Sequence, residues 1–265
     1  MRTGPTNTLL LLLFFFCVSF NDQHEDWHSK NYKQFNLYYT PGDKNNIKEY
    51  ATFVEKGIKD AEQFFNGSFK NHFNIYIHNN RHSLDSTWQT DWKMPGFKSE
   101  CWMVASGVAT RLDMISPVKW NTEACEHRYE DKTAMQQLIT HELVHVYHGQ
   151  QNKSPDFSDV ENIDWFVEGL ASYASGQCNC EKINEIKKVV SNNEAPSSLD
   201  KFWTGKYKYG LSGSVVMFID KKYGREKLKT LLPLNKKDDI LNALKISETE
   251  LLKEWKTYLT SYNCK

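Results

Sequence analysis

The chain has no surplus of either charge: Lys+Arg and Asp+Glu both number 33 in 265 residues, so the formal net charge is zero. Nothing in that balance suggests a nucleic-acid partner, for which a basic face would be expected. Internal repeats are absent, and so is any low-complexity tract beyond the amino-terminal apolar run. Past that run no segment is long and apolar enough to cross a bilayer, which takes about 20 apolar residues. Aromatics are not scarce, at 14%, so the composition is not that of a disordered chain. The length suits one substantial domain, or two small lobes around a cleft.

The apolar run itself, Leu9-Leu10-Leu11-Leu12-Leu13-Phe14-Phe15-Phe16-Cys17-Val18, follows Arg2 and precedes the small Ser19. It is too short to span a membrane and has the layout of a secretory leader. Cleavage is expected near Ser19 or Phe20, giving a secreted or luminal chain with no membrane anchor. Removing Cys17 leaves Cys101, Cys125, Cys178, Cys180 and Cys264. That odd number leaves one thiol free or paired with another chain. Cys178 and Cys180 are too close to pair comfortably, so the expected scheme is Cys101–Cys125 plus one of Cys178 or Cys180 with Cys264. Asn66-Gly67-Ser68 and Asn152-Lys153-Ser154 are glycosylation sequons.

Along the chain, Phe35–Tyr39 and Phe73–Ile77 read as strands. Ile47 to Phe65 carries apolar residues at helical spacing: Ile47, Tyr50, Ala51, Val54, Ile58, Ala61 and Phe65. Residues 79–99, with Pro95-Gly96, read as a loop. Cys101–Ala105 and Val108–Met114 read as a strand pair broken at Ser106-Gly107. From about residue 130 the pattern is helical: Thr133–His148, Asp164–Ala174, Ile183–Val190, Gly210–Tyr223, Arg225–Leu232, Ile240–Leu244 and Glu248–Tyr262. The expected fold class is α+β, with a strand-rich first half, a mainly helical second half and a cleft between them.

At the junction stands His141-Glu142-Leu143-Val144-His145. Histidines at i and i+4 share a helix face, so both rings can reach one metal ion. The glutamate between them can take a proton from water activated by the metal. Apolar residues at Met135, Leu138, Ile139, Val144 and Val146 put this string in a helix, where a chance match in a loop would not aim two rings at one point. Zinc needs a third protein ligand and an open position. Several downstream acids are available, and spacing alone does not choose.

His141-Glu142-x-x-His145 followed by Trp165-Phe166-Val167-Glu168-Gly169-Leu170-Ala171-Ser172-Tyr173 resembles the gluzincin peptidases of clan MA, closest to the small peptidase MA-like families. Tyr207-Lys208-Tyr209-Gly210-Leu211-Ser212-Gly213-Ser214 and Phe218-Ile219-Asp220-Lys221-Lys222-Tyr223-Gly224 are similar to the helix that follows in those families. The resemblance implies one zinc per chain, held by His141, His145 and Glu168, with Glu142 as general base. It implies that the Glu168 helix lies beside the first, with Gly169 and Ala171 letting the backbones approach. It also implies an oxyanion donor: Tyr207, which matches the family tyrosine, or Tyr209. On this reading residues 1–19 are the leader and 20–265 form a single catalytic domain with two lobes, about 20–130 and 131–265.

The chain departs from two related patterns. A metzincin would place Gly and His where His148 and Gln151 stand, and His148 is expected to be a helix-end residue. The Gly-x-Met-Glu-Asn segment with which large aminopeptidases capture a free amine is missing; Ala105-Ser106-Gly107-Val108-Ala109, its best local equivalent, has no acid. The expected activity is therefore a secreted zinc metallopeptidase acting on peptide or protein substrates, as an endopeptidase. The alternatives are an aminopeptidase-like exopeptidase and an inactive zinc-binding relative that acts as a binding protein. Some relatives place an acid four residues after the glutamate ligand; Ser172 stands there, with Asp164 as substitute. The strand around Val104–Thr110 is either a substrate-pairing edge or an ordinary buried strand.

Overall fold

A computed structural model describes residues 26–264; the expected leader lies outside the described residues. The first half is a five-stranded sheet with two helices of size. β1 (His28–Asn31), β2 (Phe35–Tyr39), β3 (Phe73–His78), β4 (Ala105–Val108) and β5 (Arg111–Ile115) are ordered β1-β2-β3-β5-β4. The three inner strands run parallel, with Leu37 opposite Ile75 and Ile75 opposite Leu112. The two edge strands run antiparallel to them. α1 (Ile47–Phe65) crosses from β2 to β3, and its buried face is the apolar row read from the sequence plus Gly57. α2 (Arg81–Asp91) follows β3, and α3 (Trp120–Glu123) is a single turn after β5.

The second half contains α4 (Lys132–Gly149), α5 (Asp164–Ala174), α6 (Cys180–Ser191), α7 (Lys208–Tyr223), α8 (Arg225–Leu231), α9 (Lys237–Leu244) and α10 (Glu248–Ser261). The chain is thus α+β as expected. α4 joins two apolar clusters. Its Met135, Ile139, Leu143 and Val146 pack with the sheet and α1, while Val144 and Tyr147 pack with the carboxy-terminal helices. That placement explains why α4 is buried on all sides from Ile139 to Gly149.

Three local expectations are corrected. Residues 79–99 are not all loop: Asn80 accepts a hydrogen bond from the Ser83 N–H and starts α2, which buries Leu84 and Trp88. The hairpin break is at Ala109-Thr110, and Ser106-Gly107 lies inside β4. Gly107 belongs in a strand here because α4 presses on it; a Cβ at that position would stand 2.3 Å from the Glu142 carbonyl oxygen. β1 was not anticipated, since its four residues are all exposed and show no alternation.

Cys101 pairs with Cys125 and Cys180 with Cys264, which leaves Cys178 as the free thiol among the described residues, pushed up to about 12 by burial. Gly169 also acts differently from expectation. The backbone it admits is that of α7, not α4: a Cβ there would lie 2.3 Å from the Ser212 carbonyl oxygen. Gly169→Ala is therefore expected to lower stability by about 1–3 kcal/mol, read by thermal denaturation. Gly42→Ala, where the added carbon meets ordinary contacts of 3.8 Å, should change it by less than about 0.5 kcal/mol.

Candidate metal centre

Asp131 caps α4 by accepting from the Ala134 N–H. The helix then carries His141 and His145 onto one face, one turn apart. Their rings meet edge to face, and the two Nε2 atoms are 3.0 Å apart. α5 supplies the third group. Its other middle residues, Trp165, Phe166, Val167, Gly169, Leu170, Ala171 and Ser172, are buried, whereas the Glu168 side chain stays one quarter exposed beside the two imidazoles. Glu168 Oε2 lies 3.4 Å from His141 Nε2 and 3.6 Å from His145 Nε2.

Donor atoms 2.0–2.1 Å from a tetrahedral zinc are separated from each other by about 3.3 Å. The observed triangle of 3.0, 3.4 and 3.6 Å brackets that spacing. Two imidazoles and one carboxylate are a donor set that suits zinc, so the residues fit the metal. Burial would raise the Glu168 carboxyl, but His145 and His141 outweigh it and hold it well below the usual carboxylate range.

Glu142 faces the same space from the next position on α4. Burial pushes its carboxyl up to about 7; Glu168 adds to the rise, and His141 and a bond from the Gly107 N–H oppose it. Gly107 thus ties the edge strand β4 to the centre.

His141 is oriented from outside. Gln177 Oε1 accepts from its Nδ1–H at 2.8 Å, which leaves the Nε2 lone pair facing Glu168 and His145. Gln177 lies in the turn after α5, where the Cys178 N–H bonds the Ser172 carbonyl and Gln137 of α4 bonds the Gly176 carbonyl. Sequence reasoning missed it, having looked to Ser172 and Asp164. The Ser172 hydroxyl is buried without a hydrogen-bond partner. Asp164 is exposed at the start of α5, its carboxyl raised by partial desolvation and by the charge of Glu168. The only signal for Gln177 was an amide in the turn that closes the Glu168 helix.

The two tyrosines part company. Tyr207 precedes α7 and lines a surface depression with Glu181, Lys182 and Glu185 of α6. Tyr209, in the first turn of α7, holds its ring 6.3 Å from that of His141. Burial, then Glu168, Glu142 and Glu126, raise the Tyr209 hydroxyl, so it stays protonated and able to donate. His148 is not at the centre: its Nε2 bonds the Leu232 carbonyl at 3.1 Å between Phe157 and Phe166, and burial pushes it down to about 3.

No protein-family model matches the chain, and no curated protein matches it in sequence. Solved structures do. Leukotriene A4 hydrolase from Saccharomyces cerevisiae, both native and in complex with bestatin, superposes with a TM-score of 0.50 at 15% identity over 90% of this chain. The likeness is one of fold. It shows no finer relation, and the chain spans 38% of the length of those neighbours.

Replacing Gln177 with Ala should weaken zinc binding roughly 10- to 100-fold without unfolding the chain, measured by competition with a chromogenic chelator. Ser172→Ala should leave the affinity where it was. Equal effects of the two would contradict the assignment.

Proposed function

We propose that the chain is a secreted zinc metallopeptidase that cuts within peptides. The observation that carries the reading is the convergence of His141, His145 and Glu168 with Glu142 at the same opening. Those three residues would hold a zinc ion, which when bound would supply a Lewis acid for the peptide carbonyl and for water. Glu142 takes the proton from that water as it attacks, and passes it to the leaving amine. Tyr209 donates its O–H to the oxygen that becomes negative in the transition state.

β4 is the sheet edge beside Glu142, so an extended peptide added to that edge would run past the general base. Ala105–Val108 carries no carboxylate to hold a substrate's free amine, which favours internal cleavage over amino-end trimming. Two disulfides and the leader-like residues 1–19 support secretion. Among the described residues no helix is long and apolar enough to cross a membrane. Of the two sequons, Asn66 is exposed in a left-handed turn. The Asn152 amide is engaged with the Leu232 and Leu234 carbonyls, so a glycan belongs at Asn66. Residues 20–265 would form the single catalytic domain.

Glu142→Gln is expected to abolish cleavage of blocked peptides while zinc stays bound; cleavage at the wild-type rate would overturn the general-base role. Tyr209→Phe should lower kcat roughly a hundredfold or more with a smaller effect on KM. A larger loss from Tyr207→Phe than from Tyr209→Phe would contradict the choice between them.

A further inference from the structure

Beside the metal centre, α7 opens with Lys208. Its ammonium is walled by aromatic rings, 3.8 Å from the centroid of Trp102, 4.6 Å from Trp203 and 5.3 Å from Tyr209. Trp203 meets Tyr209 edge-on at 4.8 Å, and Tyr209 lies 6.3 Å from His141. An unbroken run of contacts therefore leads from a metal-facing imidazole to this cation. Trp102 comes from the other half of the molecule, so Lys208 stands between the two halves.

The wall is rigid. The Cys101–Cys125 disulfide closes the Trp102 segment, and the Arg81 guanidinium donates to the carbonyls of Glu100, Cys101 and Met103. His127 Nε2 bonds the Trp102 carbonyl at 3.1 Å. A side chain held against rings in this way is poised to act on whatever enters the cleft.

Lys208 makes no ion pair among the described residues. Burial against the rings lowers its pKa, and only the more distant charges of Glu168 and Glu126 work against that. A dication among His141, His145 and Glu168 would take up the charge of Glu168. Exposed Glu126 would then be the one carboxylate acting on Lys208. The whole chain has no net charge to attract anions, so any preference for one must arise locally.

We propose that Lys208 is the specificity-determining residue of this site and binds a carboxylate carried by the peptide near the bond that is cut, making acidic peptides the preferred substrate class. This rests on the peptidase reading above. The carboxylate can be an acidic side chain or the free carboxyl end of a short peptide. A cation here also disfavours a substrate's ammonium end, in line with the lack of an acid on β4.

The test uses the zinc-loaded full chain and end-blocked peptides in which Glu, Gln or Lys is placed in turn at each position around the cleaved bond. A second, neutral series compares a free with an amidated carboxyl end, which separates the two sources of carboxylate. Wild type is expected to favour one carboxylate-bearing series over its neutral isostere by roughly 10- to 100-fold in kcat/KM, expressed in KM. That ratio should fall to about one in Lys208→Ala and below one in Lys208→Glu. Because the ratio is taken within each variant, a partly misfolded preparation does not alter it. Binding to the Glu142→Gln chain, followed by tryptophan fluorescence, should show the same ratio without turnover. A wild-type ratio of one, or a ratio that survives Lys208→Ala, overturns the role of Lys208 while cleavage of the neutral peptides sustains the peptidase reading. A zinc-loaded wild type that cuts no peptide in either series overturns both.

Discussion

Two imidazoles and the Glu168 carboxylate lie within 4.8 Å of one another, and the carboxyl of Glu142 is buried beside them. With both carboxyls ionised, that corner of the molecule holds two negative charges. Burial of such charges is costly unless they are paired or coordinate a metal. The cost shows at Glu142, pushed up to about 7 by burial and then by the charge of Glu168, whereas the imidazoles hold Glu168 well below the usual carboxylate range. A divalent cation among His141, His145 and Glu168 would balance the pair and favour the ionised form of Glu142. The surrounding architecture holds the three donors in a triangle that fits such a cation.

Three packing contacts maintain that shape. α4 lies between the two apolar clusters, which leaves it no freedom to rotate its histidines away. α5 is locked by the α7 backbone at Gly169, and this aims Glu168 at the histidines from the opposite wall. β4 comes against α4 at Gly107, so the edge strand lies directly against the backbone of Glu142. Gln177 then sets the ring of His141. The second half of the molecule thus supplies both the third donor and the group that orients the first one.

The parts of this arrangement that follow helical periodicity were legible in the sequence. The buried face of α1 was read correctly position by position, because one face of that helix meets the sheet and the other meets water. His141 and His145 were legible for the same reason: their proximity is a property of one helix. Longer-range contacts were not. Gly107 looked like a hairpin break because nothing local reveals that α4 lies against it. Gly169 was read correctly as a close approach, but to the wrong helix. Residues 81–91 looked like loop because the helix is held by a side-chain cap and two buried apolar residues, Leu84 and Trp88, rather than a long apolar stripe. Tyr207 and Tyr209 are two steps apart where α7 begins, so they face roughly opposite sides. Spacing to Gly210 suggested the first, whereas the side of α7 that faces α4 carries the second.

X-ray absorption at the zinc edge of the purified full-length chain tests the central claim most directly. The account predicts one zinc per chain with imidazole nitrogen and carboxylate oxygen at about 2.0–2.2 Å, and loss of oxygen scattering or of the metal in Glu168→Ala. A sulfur neighbour at about 2.3 Å, or a folded chain that takes up no stoichiometric zinc, would contradict it.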